Sequence, residues 1–233
     1  MGLSPDELQA VRLSLQVALA AVAVSLPLGV ALGWLLARRD FAGKVAVETL
    51  VNLPLVLPPV VTGYLLLITF GRRAPVGSFL ADTFGIVFSF RWTGAALACG
   101  IMAFPLMVRA IRLTFAAVDP RLEQASRTLG VGPLGTFVHV TLPLARGGIV
   151  AGCVLAFARS MGEFGATVMI AGNIPGQTRT IPLFIYTMLE SPGGAERAWR
   201  VVVLSVILSA AALLVGEYLD RRGRVRLAAV NPA

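Results

Sequence analysis

Charge is missing from four long stretches of this chain. Residues 13–37, 49–71, 92–108 and 201–216 form uncharged runs of 25, 23, 17 and 16 residues. About 20 predominantly apolar residues carry a helix across the hydrocarbon of a bilayer. A further long apolar stretch includes the charges Arg159 and Glu163. The pattern predicts spans at 5–37, 47–71, 92–117, 138–171 and 197–220, hence an all-α polytopic membrane protein with five transmembrane helices in one domain over 1–233. Residues 171–197 are too polar at their ends to cross. Their apolar centre, 181–189, is short enough to read as an interfacial or re-entrant helix. Counting it as a sixth span would invert one end of the chain.

Local signals refine these limits. Ser4-Pro5-Asp6-Glu7 reads as a helix start, with Ser4 as cap, Pro5 at the first helical position and Glu7 closing a capping box. The acids at this start, and the length of the apolar run after it, argue against a cleaved signal peptide. Pro27 and Pro105 fall inside the first and third spans, and Pro54, Pro58 and Pro59 crowd the second. Each proline removes a backbone donor and bends or loosens a helix. Their density in the second span suggests a helix that lines something or moves.

Composition agrees with the pattern: 57% of residues are hydrophobic and 14% charged, far from the quarter charged of soluble domains. Cys99 and Cys153 lie in apolar runs, so no disulfide framework or Cys-rich metal site is expected, and His139 alone cannot build a histidine site. The net charge of +8 comes from arginines and lysines clustered at the ends of apolar runs. Membrane topology and anionic lipid account for that placement, and no nucleic-acid partner is expected. With Arg38, Arg39 and Lys44 placed inside, alternation also puts inside the Arg-rich stretch 108–146 and the tail with Arg221, Arg222, Arg224 and Arg226. Twelve basic residues then lie inside against seven outside. This bias predicts an external amino terminus and a cytoplasmic carboxyl terminus. Phe88, Phe90, Trp92 and Tyr218 fall where interface anchors belong, and Gly29 and Gly33 form a G-x-x-x-G packing face.

Between spans three and four, Asp119-Pro120 opens a helix and Gly130 closes it, with Gly132-Pro133 starting another turn. A short rigid helix over about 120–129, within a coupling segment 119–137, suits the docking of a cytosolic motor. Gln124-Ala125-Ser126-Arg127-Thr128-Leu129-Gly130, nine residues, then Val140-Thr141-Leu142-Pro143 resembles the EAA loop of prokaryotic ABC-importer permeases. Gln124 stands in the Glu place of that loop, with Glu123 one residue before it. Ser126 replaces the second Ala and Val140 the Ile. The runs 53–64, 104–112, 158–167 and 173–182 extend the resemblance, and are similar to the molybdate permease subfamily. Sulfate/thiosulfate permeases typically read Gly-Glu-Tyr-Gly-Ser where this chain has Gly162-Glu163-Phe164-Gly165-Ala166.

The resemblance implies the ABC-importer permease fold and a multi-pass place in the cell (inner) membrane. It also implies a homodimer, two copies of a cytosolic ABC ATPase and an external molybdate-binding protein that delivers molybdate or tungstate. It assigns ATPase coupling to Glu123, Gln124, Ala125, Gly130, Leu142 and Pro143. Pathway or gate candidates are Pro54, Pro58, Pro59, Thr62, Arg159 and Glu163. No metal or cofactor is expected, and without a G-x-x-x-x-G-K-[ST] sequence the ATP chemistry falls to a partner.

Two other classes compete. A membrane-embedded enzyme would need intramembrane nucleophiles, acid–base pairs or metal ligands, but the only acid deep in a span is Glu163. A secondary transporter would show paired interrupted helices from an inverted repeat, which are not seen in only five spans. Arg159 and Glu163, four residues apart on one expected helix, should pair and face protein rather than lipid. With Arg159 neutralised in this way, the pathway is expected to hold an anion weakly and to leave selectivity to the binding protein.

Overall fold

The helix starts fall where cap chemistry puts them. The structure, a computed structural model, describes residues 3–230, with the side chains of Arg197, Glu217 and 219–230 outside the described set. The tail arginines Arg221, Arg222, Arg224 and Arg226 therefore lie outside the described side chains. Helix α1 (Pro5–Arg38) opens with the expected capping box. The Glu7 N–H donates to Ser4 Oγ at 3.3 Å, and the Ser4 N–H donates to Glu7 Oε2 at 2.6 Å. Two half-helices follow, α2 (Lys44–Val56) and α3 (Pro59–Phe70), then α4 (Pro75–Phe84) and the long α5 (Trp92–Ala117). Every element among the described residues is helical.

The surface helix α6 (Pro120–Thr128) leads through α7 (Pro133–Thr136) and a π-turn (Phe137–Thr141) into α8 (Leu142–Met161). Three more helices complete the chain: α9 (Gly165–Ala171), α10 (Ile181–Leu189) and α11 (Gly194–Val230). Four helical stretches are long and apolar enough to cross a membrane: Pro5–Arg38, Trp92–Ala117, Pro133–Met161 and Gly194–Gly216. Counted as one span, the bent pair α2–α3 would be a fifth.

Two expected spans are corrected. The span 47–71 is not one helix, because it breaks between Val56 and Pro59 and its axis turns through 114°. Pro58 and Pro59 lack the N–H groups that would continue the helix, whereas Pro27, Pro54 and Pro105 stay inside unbroken ones. Rising about 1.5 Å per residue, neither half reaches across about 30 Å of hydrocarbon alone. The span 138–171 begins earlier and ends earlier: helix already starts at Pro133, and the chain leaves it at Gly162 before α9 begins. Helix thus reaches back into the expected coupling segment, over 133–137, and runs on into α8. The short apolar stretch at 181–189 is α10, tied to α1 by the Ile181 N–H, which donates to Ser14 Oγ at 2.7 Å.

The core lies between α1, α5 and α8. Met107, Ile111 and Phe115 of α5 are fully buried against Ala145 and Ala156 of α8. The small-residue face of α1 packs on the same helix: a Cβ at Gly33 would lie 2.7 Å from Ile111 Cγ2, and one at Gly29 2.9 Å from Met107 Sδ. A second cluster joins Leu13 and Val17 to Ala98, Met102 and Ile170, and a third seats Phe184 and Val201 on Ala18 and Met161. Phe88, expected as an interface anchor, is half-buried edge-on against Phe70, with ring centres 5.8 Å apart.

Candidate functional site

The two helix breaks meet. Gly165, at the start of α9, sits so close to the α2–α3 break that a Cβ there would lie 2.9 Å from Pro59 Cβ. One turn further, a Cβ at Gly63 would lie 2.7 Å from the Ala166 Cα and carbonyl oxygen. Four of the sequence-derived pathway candidates, Pro59, Thr62, Arg159 and Glu163, fall on the segments joined at this crossing, with Pro58 at the break itself. Pro54 lies a turn away within α2.

Glu163 is not on the same helix as Arg159, as expected from sequence, because α8 ends at Met161. The pair forms nonetheless, with Arg159 Nη1 2.8 Å from Glu163 Oε2. The other carboxylate oxygen accepts the Ala166 N–H at 2.9 Å, so Glu163 also satisfies an orphan donor in the first turn of α9. Its side chain is 2% exposed and that of Arg159 30%. Beside it, the buried hydroxyls of Thr62 and Ser160 have no hydrogen-bond partner among the described residues. The carboxylate therefore answers two donors at the break, one charged and one from the backbone.

A break of this kind limits what can surround it. Backbone freed from helical pairing at membrane depth persists where protein covers it or where it lines water. Pro58, Pro59 and Val60 are exposed in this chain, and α2 has no buried residue along its length. Two interrupted helices, α2–α3 and α8–α9, are thus in contact.

At the far end of α5, α6 is tied down rather than free. Asp119 caps it by accepting the Arg121 N–H at 2.9 Å. Arg38 at the end of α1 donates to the Val118 carbonyl at 2.7 Å and to Glu123 Oε1 at 3.1 Å. The Thr141 hydroxyl of the π-turn donates to the same Glu123 oxygen at 2.9 Å. Glu123 therefore faces inward and joins α1, α6 and the start of α8, while Gln124 and Ala125 are exposed. Gly130 leaves the helix at φ +85, the left-handed turn expected of it. Leu122, Leu129 and Leu134 stand out at 48%, 84% and 76% exposure. Leu142 is half-buried against the core cluster around Phe115, and Pro143 is exposed.

Sequence reasoning missed one polar cluster near this end. Arg112 Nη1 lies 3.0 Å from Glu48 Oε1, linking α5 to α2 beside Asn52 and Arg109 around a cavity of about 300 Å³. Nothing in the local sequence of either partner signals the other, since the pair forms only once α2 folds back on α5. Among the described residues no group of His, Cys, Asp and Glu side chains could hold a metal ion.

Comparison with known proteins fits this architecture. Residues 29–225 match the family described as binding-protein-dependent transport system inner membrane component. The chain is 54% identical over 226 residues to the molybdenum transport system permease protein ModB of Escherichia coli (strain K12), covering 97% of this chain and 99% of that one. It is 47% identical to ModB of Haemophilus influenzae, with 97% and 99% covered. In three dimensions it resembles a chain of the MetNI methionine ABC transporter in an inward-facing conformation. There the TM-score is 0.70 at 19% identity, with 93% of this chain and 95% of that one covered, a likeness of fold. The match along nearly the whole chain makes this protein a member of the binding-protein-dependent transport system inner membrane component family, a transport permease with the fold seen in ABC transporters.

Proposed function

We propose that this chain is the membrane subunit of an ATP-driven importer of molybdate, with tungstate as an alternative cargo. In this reading it works as a homodimer over two copies of a separate cytosolic ATPase, loaded by an external molybdate-binding protein. The observation that carries the proposal is the 54% identity to ModB over nearly the full length of both chains. The chain is then one permease domain that crosses the membrane five times, its second crossing bent, with the amino terminus outside and the carboxyl terminus in the cytoplasm.

The geometry supports a division of labour. The exposed leucines of the α6 segment, with Gln124 and Ala125, offer the surface for the ATPase. Glu123 passes movement of α6 to α1 through Arg38 and to α8 through Thr141. A second copy, or the pathway between the two copies, covers the exposed break at Pro58 and Pro59. Arg159 and Glu163 act as a lock. The carboxylate is already shared between the guanidinium and the backbone of α9, and would repel an approaching oxyanion.

The test is uptake by the purified chain reconstituted with its ATPase and binding protein. ATP-dependent molybdate accumulation, not displaced by excess sulfate, is expected. Sulfate uptake in preference to molybdate, or uptake driven by a proton gradient without ATP, would overturn the proposal. Single cysteines in a background with Cys99 and Cys153 replaced by Ala test the topology. Cysteine at Gln177 should react with an impermeant reagent from outside, and at Ala42 or Leu134 only after permeabilisation.

A further inference from the structure

At the end of the bundle opposite α6 lies an open cavity of about 1580 Å³. Its lining includes Arg72, Arg73 and Arg91, with Gln16, Ser89 and Gln177, and contains no carboxylate. None of the three arginines forms an ion pair among the described residues. We propose that this vestibule weakly captures tetrahedral oxyanions in the field of its three arginines, a proposal that rests on reading the chain as an oxyanion permease.

Three independent features converge there. Three exposed cations without a lining acid produce a positive potential that water screens over about 10 Å at 0.1 M salt, and they share one concavity. Two helices, α4 and α5, begin at the cavity's edge, with Ala74, Pro75, Arg91 and Trp92 in the lining, and neither has a side-chain cap. Their amino-terminal dipole ends add to the arginines, and an anion there would satisfy uncapped N–H groups.

The third feature is strain. Phe90 is the only described non-glycine residue with positive φ, at 56, held there by its N–H donating to the Ile170 carbonyl at 3.0 Å. A left-handed aromatic residue is disfavoured and persists where its surroundings impose it. Here it sits between Ser89 and Arg91, at the turn that brings the start of α5 to the cavity. The buried Ser89 Oγ accepts the Arg72 N–H at 3.2 Å, which fixes the α3–α4 turn against the α5 start. The cationic residues are thus held by backbone contacts between elements rather than by acidic partners.

The geometry suits weak capture. Guanidinium groups match oxyanions with paired N–H donors, but the space is far wider than one small anion and stays hydrated. A hydrated cationic funnel raises local anion concentration and on-rate, by about 10- to 1000-fold in steered systems, without slowing release. It therefore supplies the positive field that Arg159, neutralised at the helix break, does not.

Equilibrium dialysis of radiolabelled molybdate against the full chain tests the site. The chain is held in phosphatidylcholine nanodiscs, with sulfate as competitor. Saturable binding displaced by sulfate is expected, weakened at least 10-fold by Arg91→Gln or by raising the salt from low to physiological strength. The triple variant Arg72→Gln/Arg73→Gln/Arg91→Gln should abolish binding, and the matching triple Lys variant should retain most of it. Adding phosphatidylglycerol separates the sources of the anion. Unchanged molybdate binding assigns the site to free oxyanion, whereas Arg-dependent loss of it shows a headgroup phosphate in the same place.

Absence of binding in phosphatidylcholine, or binding indifferent to all of these substitutions, overturns the proposal. If the assembled transporter also takes up molybdate normally with the triple Gln variant, the site fails while the permease reading stands. Sulfate bound more tightly than molybdate, with the arginine dependence intact, supports the site and counts against molybdate as the cargo.

Discussion

Glu123 and Glu163 are the same side chain in two settings. Each carboxylate takes an arginine and one further donor: Arg38 and the Thr141 hydroxyl at Glu123, Arg159 and the Ala166 N–H at Glu163. The partners differ in distance along the chain. Arg159 lies four residues from Glu163, whereas Arg38 lies 85 residues from Glu123. A pair four residues apart needs only the end of α8 and the turn after it, and carries its own neutralisation into the membrane. The distant pair exists only after α1, α5 and α6 have assembled, so it reports on tertiary structure and can transmit its movement. The first is a condition for residing in the membrane, and the second a condition for responding to a partner.

Substitutions can break that contrast. The largest effect is expected from Arg159→Met, which strands a carboxylate that is 2% exposed and should cost about 3–5 kcal/mol, seen as loss of folded protein in detergent. Glu163→Gln should cost less, because the Arg159 side chain is 30% exposed and can reach water. The double variant Arg159→Met/Glu163→Gln should recover most of the folded yield. Failure to recover would mean that the pair does more than neutralise charge, since the amide oxygen of Glu163→Gln still accepts the Ala166 N–H. Next comes Gly63→Val, which forces side-chain atoms onto the Ala166 backbone and separates the two breaks. About 1–3 kcal/mol is expected in thermal stability, with transport falling further than stability does.

Glu123→Gln should be milder. The amide oxygen still accepts from Thr141, so only the charged part of the bond to Arg38 is lost, about 1 kcal/mol. Stability should hardly change while ATP hydrolysis becomes less dependent on cargo. Equal stability losses in Arg159→Met and Glu123→Gln would erase the distinction drawn above. The smallest effect is expected from the exposed Asp40–Lys44 pair, 2.8 Å apart. The hydrogen bond from Lys44, and then its charge, hold the Asp40 carboxyl below its ordinary value. A carboxyl depressed on folding contributes above its unfolded pKa, and the contribution fades as pH falls through the folded one. Asp40→Asn should therefore lower stability at neutral pH very slightly, leave it unchanged in acid, and flatten the acid-side slope of a thermal-melt series.

Much of this was legible from residue order. Cap chemistry placed the start of α1 and the turn at Gly130, and a short apolar run placed α10, because each depends on neighbours within a few positions. The proline cluster marked the α2–α3 break, although its 114° bend depends on how α3 packs against α9. The second break escaped notice because hydropathy stays high on both sides of Gly162, Glu163 and Phe164, and a continuous apolar run hides a backbone that turns. Partners separated by much of the chain, such as Arg38 with Glu123 or Glu48 with Arg112, carry no local signature. Gly29 and Gly33 announced a packing face, but only the fold shows that it receives Met107 and Ile111.

The bareness of α2 also bears on how such a chain is made. During synthesis α2 emerges with no side chain to bury, and its ion-pair partner Arg112 is translated only after α3, α4 and most of α5. For that interval its thirteen residues have no fold of their own to join. Even the finished chain buries none of them fully. The cell's insertion and proteolytic machinery therefore meets α2 as the least sheltered part of a newborn subunit. A membrane protease that samples loosely held helices would find there a ready mark of a copy that has failed to assemble.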